Sequence, residues 1–337
     1  MQMSVPGSRG GSGRCICYER VLKECMPLIP YRATNFSGAF TQLNGNGQTG
    51  VTWAQLVWAA ITAGKAAGDE YAYGIYSALE RLHRASMMRA YLLEANSGRL
   101  LQTIPYETSD PSEKTSISFY LGMTLAKLFA ELLFGVPRML HVAVYGQNYQ
   151  IATGQGASRP DLIGLSANGD WFVFEAKGRS NGFDNGALST AKDQAEQIIS
   201  IDGVAPLCRI ASQSFFSTNG LRFRMDDPER KKRGQSRSLN ITRDEFEHAY
   251  YDPIRGIVAS RGSDIRLVIE GKRYRGTRIE EADIVIALAE QDIALTDKPE
   301  GNLPSTDEYL GKDGVFVRLG SSWSQENMRL QPHLRSN

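Results

Sequence analysis

The stretch Ser158–Ser180, SRPDLIGLSANGDWFVFEAKGRS, constrains the fold of this chain more than any other. Two apolar runs, Asp161–Leu165 and Trp171–Lys177, flank the turn cluster Ser166-Ala167-Asn168-Gly169-Asp170, an arrangement that predicts a β-hairpin. Strand side chains alternate, so Trp171, Val173, Glu175 and Lys177 share one face while Phe172, Phe174 and Ala176 take the other. A two-residue Asn168-Gly169 turn sets Asp161 opposite Ala176. A three-residue loop, Ala167-Asn168-Gly169 with a left-handed Gly169 in a G1 bulge, sets Asp161 opposite Glu175, Ile163 opposite Val173 and Gly164 opposite Phe172.

In the second register the two acids have Cβ atoms about 4.5–5.5 Å apart. Carboxylates that close repel unless a proton or a cation lies between them, and the cation is the expectation here. Oxygen ligands suit Mg²⁺, with Mn²⁺ able to substitute, and Mg²⁺ completes one or two protein carboxylates with water and substrate phosphate. Lys177 shares that face and reaches a metal-bound water or a phosphate oxygen. Together these groups suit phosphodiester cleavage: a metal polarises the phosphoryl oxygen and a lysine offsets developing charge.

Pro160-Asp161, thirteen residues, then Glu175-Ala176-Lys177 resembles the PD-(D/E)XK motif of the restriction-endonuclease-like nucleases. The resemblance implies that Asp161 and Glu175 bind Mg²⁺ with the Ala176 carbonyl, and that Lys177 assists the attacking water. It also implies a further metal-binding, catalytic acid on the first core helix, for which Glu131 is the candidate by position. A glutamine on the helix after the motif, Gln194, would support the lysine or contact the substrate. The spaced tyrosine motif of the RecB-like branch is absent. Glu-x-Lys alone carries no weight, since Glu229-Arg230-Lys231 and Glu270-Gly271-Lys272 share it, but neither has an aspartate on a separate, turn-linked strand. The competing reading is a half-buried hairpin with an exposed acid–lysine pair that contributes little.

A net charge of +1 gives no global attraction to nucleic acid, so binding requires a local basic patch. Arg159, Arg179 and the run Arg230-Lys231-Lys232-Arg233 are the expected phosphate contacts, positioning a strand without reading its bases. Four cysteines do not make a disulfide framework. The most hydrophobic stretch, Ile117–Leu140, contains Lys127, Glu131 and Arg138 and is interrupted by Gly135 and Pro137. It reads as a buried helix of a soluble, cytoplasmic protein rather than a membrane span. Met1–Arg14 is Gly/Ser-rich without an apolar core and reads as a flexible start, not a signal peptide.

Further along, Trp53–Ala67 and Glu70–Ala95 read as helices. Asp110-Pro111-Ser112-Glu113 opens another that ends near Phe134 at Gly135 and Pro137. Met139–Tyr145 reads as a strand, Ala187–Ser200 as an amphipathic helix, and Val204–Ser217 and Leu221–Met225 as strands. A capping box at Thr242-Arg243-Asp244-Glu245 opens a helix through about Tyr250. Ile265–Glu270 and Glu281–Gln291 suggest one more strand and one more helix.

The expected fold is α/β: a flexible start (1–14), a mainly helical N-terminal region (15–109), a restriction-endonuclease-like core with a mixed sheet flanked by helices (110–225), a basic loop with a mixed α/β C-terminal region (226–320), and a tail (321–337). The expected activity is metal-dependent hydrolysis of phosphodiester bonds, in DNA ahead of RNA, as a restriction- or defence-type endonuclease. An RNA-cleaving effector and a non-catalytic nucleic-acid-binding or assembly protein are the alternatives. No membrane partner is expected, and a homo-oligomer is left open.

Overall fold

The Asp110 carboxylate accepts hydrogen bonds from the Ser112 and Glu113 N–H groups, and the Glu113 carboxylate accepts one from the Asp110 N–H. With Pro111 at the first helical position, this capping box starts a 24-residue helix that Gly135 closes in the left-handed conformation, φ +65°. That helix is the centre of the computed structural model, which describes residues 26–63, 75–143, 159–228, 237–260, 265–290 and 307–324.

In chain order the elements are β1 (Leu28–Thr34), β2 (Gly45–Gly50), α1 (Trp53–Thr62), α2 (Ile75–Tyr91), β3 (Leu92–Glu94), β4 (Leu100–Gln102), α3 (Ile104–Thr108) and α4 (Pro111–Phe134). Then come β5 (Arg138–His141), β6 (Leu162–Leu165), β7 (Trp171–Arg179), α5 (Asn185–Ala195), β8 (Ile198–Ile201), β9 (Cys208–Ser217) and β10 (Gly220–Asp226). The last group is β11 (Arg237–Leu239), α6 (Arg243–Ser260), β12 (Ile265–Ile269), β13 (Lys272–Ile279), β14 (Ile284–Ala289), β15 (Glu308–Leu310) and β16 (Val315–Leu319).

The protein is mixed α/β. Its large sheet has seven strands in the order β2-β1-β10-β9-β7-β6-β5, with β1–β10 and β7–β9 parallel and the other pairs antiparallel. A second, antiparallel sheet has five strands in the order β12-β13-β14-β16-β15. Helix α4 packs on one face of the large sheet and α1 packs between α4 and the second sheet, while α5 covers β7 and β9. Aromatic contacts make the α4 side concrete: Phe129 stacks on Phe223 of β10 at 4.5 Å, and Phe134 meets Phe172 and Phe174 of β7. One apolar cluster runs from Ile29 to Trp323 through α1, α4 and both sheets, and a separate small cluster of Leu188, Ala191 and Ala211 seats α5 on β9.

Several boundaries differ from the sequence reading. Helices α1, α2 and α3 lie in the region 15–109, but β1 and β2 lie there too and join the large sheet, so that sheet extends beyond 110–225. Long-range pairing decides this, since Tyr31 of β1 lies beside Phe223 of β10. The helix expected over Glu281–Gln291 does not form over its described residues, 281–290. A 3-10 turn over Glu280–Ala282 ends at Asp283, φ +51°, and the buried β-branched run Ile284-Val285-Ile286 becomes β14. The helix expected over Ala187–Ser200 stops at Ala195, and Ile198–Ile201 pairs with β11. The strand expected over Met139–Tyr145 ends at His141, whereas α6 continues past Tyr250 and through Pro253 to Ser260. Among the described residues α4 alone is long and apolar enough to cross a membrane, and 78% of its most apolar stretch is buried inside the protein, so core packing accounts for its hydropathy.

Candidate active site

The hairpin takes the three-residue loop. β6 pairs with β7 as Leu162–Phe174, Ile163–Val173, Gly164–Phe172 and Leu165–Trp171. Gly169 adopts φ +84°, its N–H donates to the Ser166 carbonyl at 3.1 Å, and the Ser166 N–H donates to the Asp170 carbonyl at 3.0 Å. The next pair outward is Asp161 and Glu175. Trp171 packs on Phe246 of α6, on the face opposite the one where Phe172 and Phe174 meet α4. Glu175 and Lys177, in phase with Trp171, therefore project to the side covered by α5.

The two acids clasp each other's backbone. The Asp161 N–H donates to Glu175 Oε2 at 2.9 Å, and the Ala176 N–H donates to Asp161 Oδ2 at 3.0 Å. A strand residue's N–H and C=O leave on the same edge, so the Ala176 carbonyl is directed to the Asp161 side. Lys177 Nζ donates to Glu175 Oε1 at 2.5 Å and to Gln194 Oε1 at 2.7 Å. Gln194 Nε2 in turn donates to the Arg159 carbonyl at 3.3 Å. From the neighbouring strand, Ser212 Oγ donates to the Glu175 carbonyl at 3.0 Å and steadies β7 under the site.

A glycine contact positions the far end of β7. A Cβ on Gly178 would lie 1.7 Å from the Ser118 carbonyl oxygen, and one on Gly122 would lie 2.9 Å from the Gly178 nitrogen. Helix α4 therefore crosses β7 backbone to backbone directly after Lys177, an approach only glycine allows.

Burial, followed by the Asp161 charge, pushes the Glu175 carboxyl up to about 8, although the bond from Lys177 pulls the other way. Two carboxylates with one amine are short of positive charge, which is the electrostatic condition a divalent cation relieves. Among the described residues no group of three or more His, Cys, Asp or Glu side chains is arranged to hold a metal ion. Mg²⁺ does not require such a group, because one or two carboxylates with water and substrate oxygens suffice. The Asp161 and Glu175 carboxylates and the Ala176 carbonyl are hard oxygen donors of that kind, and they fit.

Of the residues singled out in the sequence, Asp161, Glu175, Ala176, Lys177 and Gln194 come together. Arg159 joins through its carbonyl, and Arg179 pairs with Asp184 at 2.9 Å at the mouth of the same face. Glu131 does not. It is fully buried on the far side of α4, where its Oε1 accepts from the Tyr309 hydroxyl and, at 3.3 Å, from the Lys312 N–H. Phe129 faces the large sheet, and a residue two positions on lies about 200° around the helix, towards the second sheet. Glu131 is therefore not a ligand of this site. The run Arg230–Arg233 lies outside the described residues.

One neighbour was not singled out from the sequence. His141 pairs with Leu162, next to Asp161; burial lowers its pKa and the Asp161 charge raises it in part. Its signal was its place on a strand expected beside the hairpin.

A cavity of about 480 Å³ lies elsewhere, between α6 and the second sheet, with Tyr251, Arg255, Arg275 and Asp313 in its wall. None of the clasped residues lines it. Comparison with known proteins leaves this geometry to stand by itself: no family model, no curated protein and no solved structure matches the chain.

Proposed function

We propose that this chain is a metal-dependent phosphodiesterase acting on nucleic acid, DNA ahead of RNA, with a restriction-endonuclease-like core. The order helix α4, antiparallel strands β5, β6 and β7, helix α5, then β9 parallel to β7 supports the fold part of this reading. The single observation that carries the activity is the opposed pair Asp161 and Glu175 with the Lys177 amine 2.5 Å from Glu175 Oε1.

Asp161, Glu175 and the Ala176 carbonyl would hold Mg²⁺. A divalent cation there supplies Lewis-acid polarisation of a phosphoryl oxygen and a more acidic bound water. Lys177 has three N–H donors. Glu175 and Gln194 engage two of them, leaving one to orient the nucleophile or meet a non-bridging oxygen. Gln194, anchored on the Arg159 carbonyl, keeps the amine from swinging out to solvent. Arg159 and Arg179 are the phosphate contacts nearest the acids.

The test is cleavage of plasmid DNA and of total RNA, side by side, in Mg²⁺ and in EDTA. Cutting in Mg²⁺ is expected to vanish in EDTA and in Asp161→Asn and Lys177→Met, both of which keep the wild-type circular dichroism melt. Cutting that survives Asp161→Asn or Lys177→Met, or no cutting of either polymer by the wild type, overturns the reading.

A further inference from the structure

The face of the large sheet that carries Glu175 and Lys177 continues onto β9, β10, β1 and β2. Register places each side chain. Lys177 stands beside Gln213, Gln213 beside Arg224, Arg224 beside Arg32, and Arg32 beside Asn46, so these five share one face. Arg222, two residues before Arg224 on β10, shares it as well. Strands are about 4.8 Å apart, so Arg32 on β1 lies roughly 14 Å from Lys177 on β7.

The loop ahead of α5 crosses this row at Gln213, whose side-chain amide bonds the Asp184 N–H and carbonyl at 2.8 and 2.9 Å. Phe183, on that loop, puts its ring 4.1 Å from the Arg224 guanidinium and packs on Phe215. Beyond the loop stand the three arginines. Arg32 and Arg222 are exposed and Arg224 is half-buried against Phe183; burial first, and then the nearby charges of Arg32 and Arg222, disfavour the charged form of Arg224. Among the described residues none of the three has a carboxylate partner. Asp226, on the same face of β10, is buried and taken up by Thr34 Oγ1 at 2.5 Å, Asn35 Nδ2 at 3.1 Å and Lys192 Nζ at 2.9 Å.

Three uncompensated guanidinium groups on a chain of net charge +1 are a local feature, not a by-product of overall basicity. Guanidinium forks match phosphate oxygens in pairs of parallel hydrogen bonds. The exposed amides of Asn46 and Gln48 extend the same face with neutral donors. The large exposed apolar side chains among the described residues, such as Phe119, Ile199 and Val268, lie on other elements, which argues against a lipid surface.

We infer that Arg32, Arg222 and Arg224 form a docking strip for the phosphate backbone of a nucleic acid, one stretch of which lies on β10–β1 while another reaches Lys177. The strip rests on the phosphodiesterase reading for its purpose, but its binding is measurable without turnover.

The experiment uses the full chain in EDTA with short fluorescein-labelled DNA and RNA oligonucleotides of two unrelated sequences, read by fluorescence anisotropy over a salt series. Arg32→Gln/Arg222→Gln, both at exposed positions, is compared with wild type, and Arg224→Gln is then added. The expected result is weaker binding of both sequences alike, with the slope of log K against log salt reduced by about 0.7–0.9 for each phosphate that is no longer neutralised. Unchanged affinity and slope in the double and triple variants overturn the strip. So does competition by polyglutamate of equal charge that matches unlabelled oligonucleotide, or binding of phosphatidylserine vesicles in preference to oligonucleotide. If the variants lose binding while the wild type cuts neither polymer in Mg²⁺, the strip stands and the phosphodiesterase reading falls. If the wild type cuts while the variants bind as it does, only the strip falls.

Discussion

Gln194 of α5 accepts a hydrogen bond from Lys177 Nζ at 2.7 Å and donates its own amide to the Arg159 carbonyl at 3.3 Å. One side chain thus ties the amine to the segment leading into Asp161, so helix and hairpin hold a common geometry. Partners of this kind, one step removed from the reacting atoms, set orientation more than stability.

Gln194→Ala is therefore expected to lower the kcat of Mg²⁺-dependent cleavage roughly 10–100-fold. Stability should change by only about 1 kcal/mol, the net value of an ordinary hydrogen bond. Steady-state cleavage beside a urea melt checks both. A loss carried in KM with kcat intact would sink the positioning role.

Glu175 provides a pH prediction. With its carboxyl raised to about 8, Mg²⁺ must displace a proton below that pH, so apparent affinity should rise about tenfold per pH unit up to about 8 and then level off. Calorimetric titration in buffers of different ionisation enthalpy reads the proton released. In EDTA the sign for stability is opposite. The folded chain keeps this proton between the ordinary Glu value and about 8, so the group's contribution is present at low pH and is lost as pH rises through 8. Glu175→Gln should flatten both profiles.

Gly178→Ala tests the crossing of α4 over β7. The added methyl would meet the Ser118 carbonyl, which is backbone and cannot rotate away. A loss of about 1–3 kcal/mol is expected, the range for overpacking. Gly182→Ala, where a Cβ meets nothing within 4 Å, is the control. Equal chemical-denaturation midpoints for the two variants would refute the close crossing.

The second sheet is docked through buried charge. Lys127 is fully buried; it donates to the Tyr250 hydroxyl at 2.7 Å and to the Pro137 carbonyl, and lies 4.6 Å from the Trp58 ring centroid. Asp313 accepts from Tyr250 Oη at 2.5 Å and from Trp58 Nε1 at 3.2 Å. Burial pulls the amine down to about 8, with Asp313 as its largest favourable charge. Asp313→Leu alone is expected to cost about 3–5 kcal/mol by stranding that charge, and Lys127→Met/Asp313→Leu markedly less than the two single losses added. A double-mutant cycle by urea denaturation decides it, and strict additivity would contradict the coupling.

What could be read from the sequence is what neighbours along the chain decide. The Asn168-Gly169 turn chemistry and the alternation from Trp171 to Lys177 specify a hairpin and limit its register to two choices, because side-chain period and loop length act within about twenty residues. The cap at Asp110 and the stop at Gly135 are local for the same reason. The tertiary structure chose the three-residue register and brought Gln194 to Lys177. It also turned Glu131 away: α4 is apolar nearly all round because it lies between layers, so its periodicity does not say which stripe faces which sheet. Nor could local pattern pair Tyr31 with Phe223 or gather Arg32, Arg222 and Arg224 on one face. Their juxtaposition depends on strand order between segments far apart in the chain, which is set by burial of the whole core rather than by any one segment.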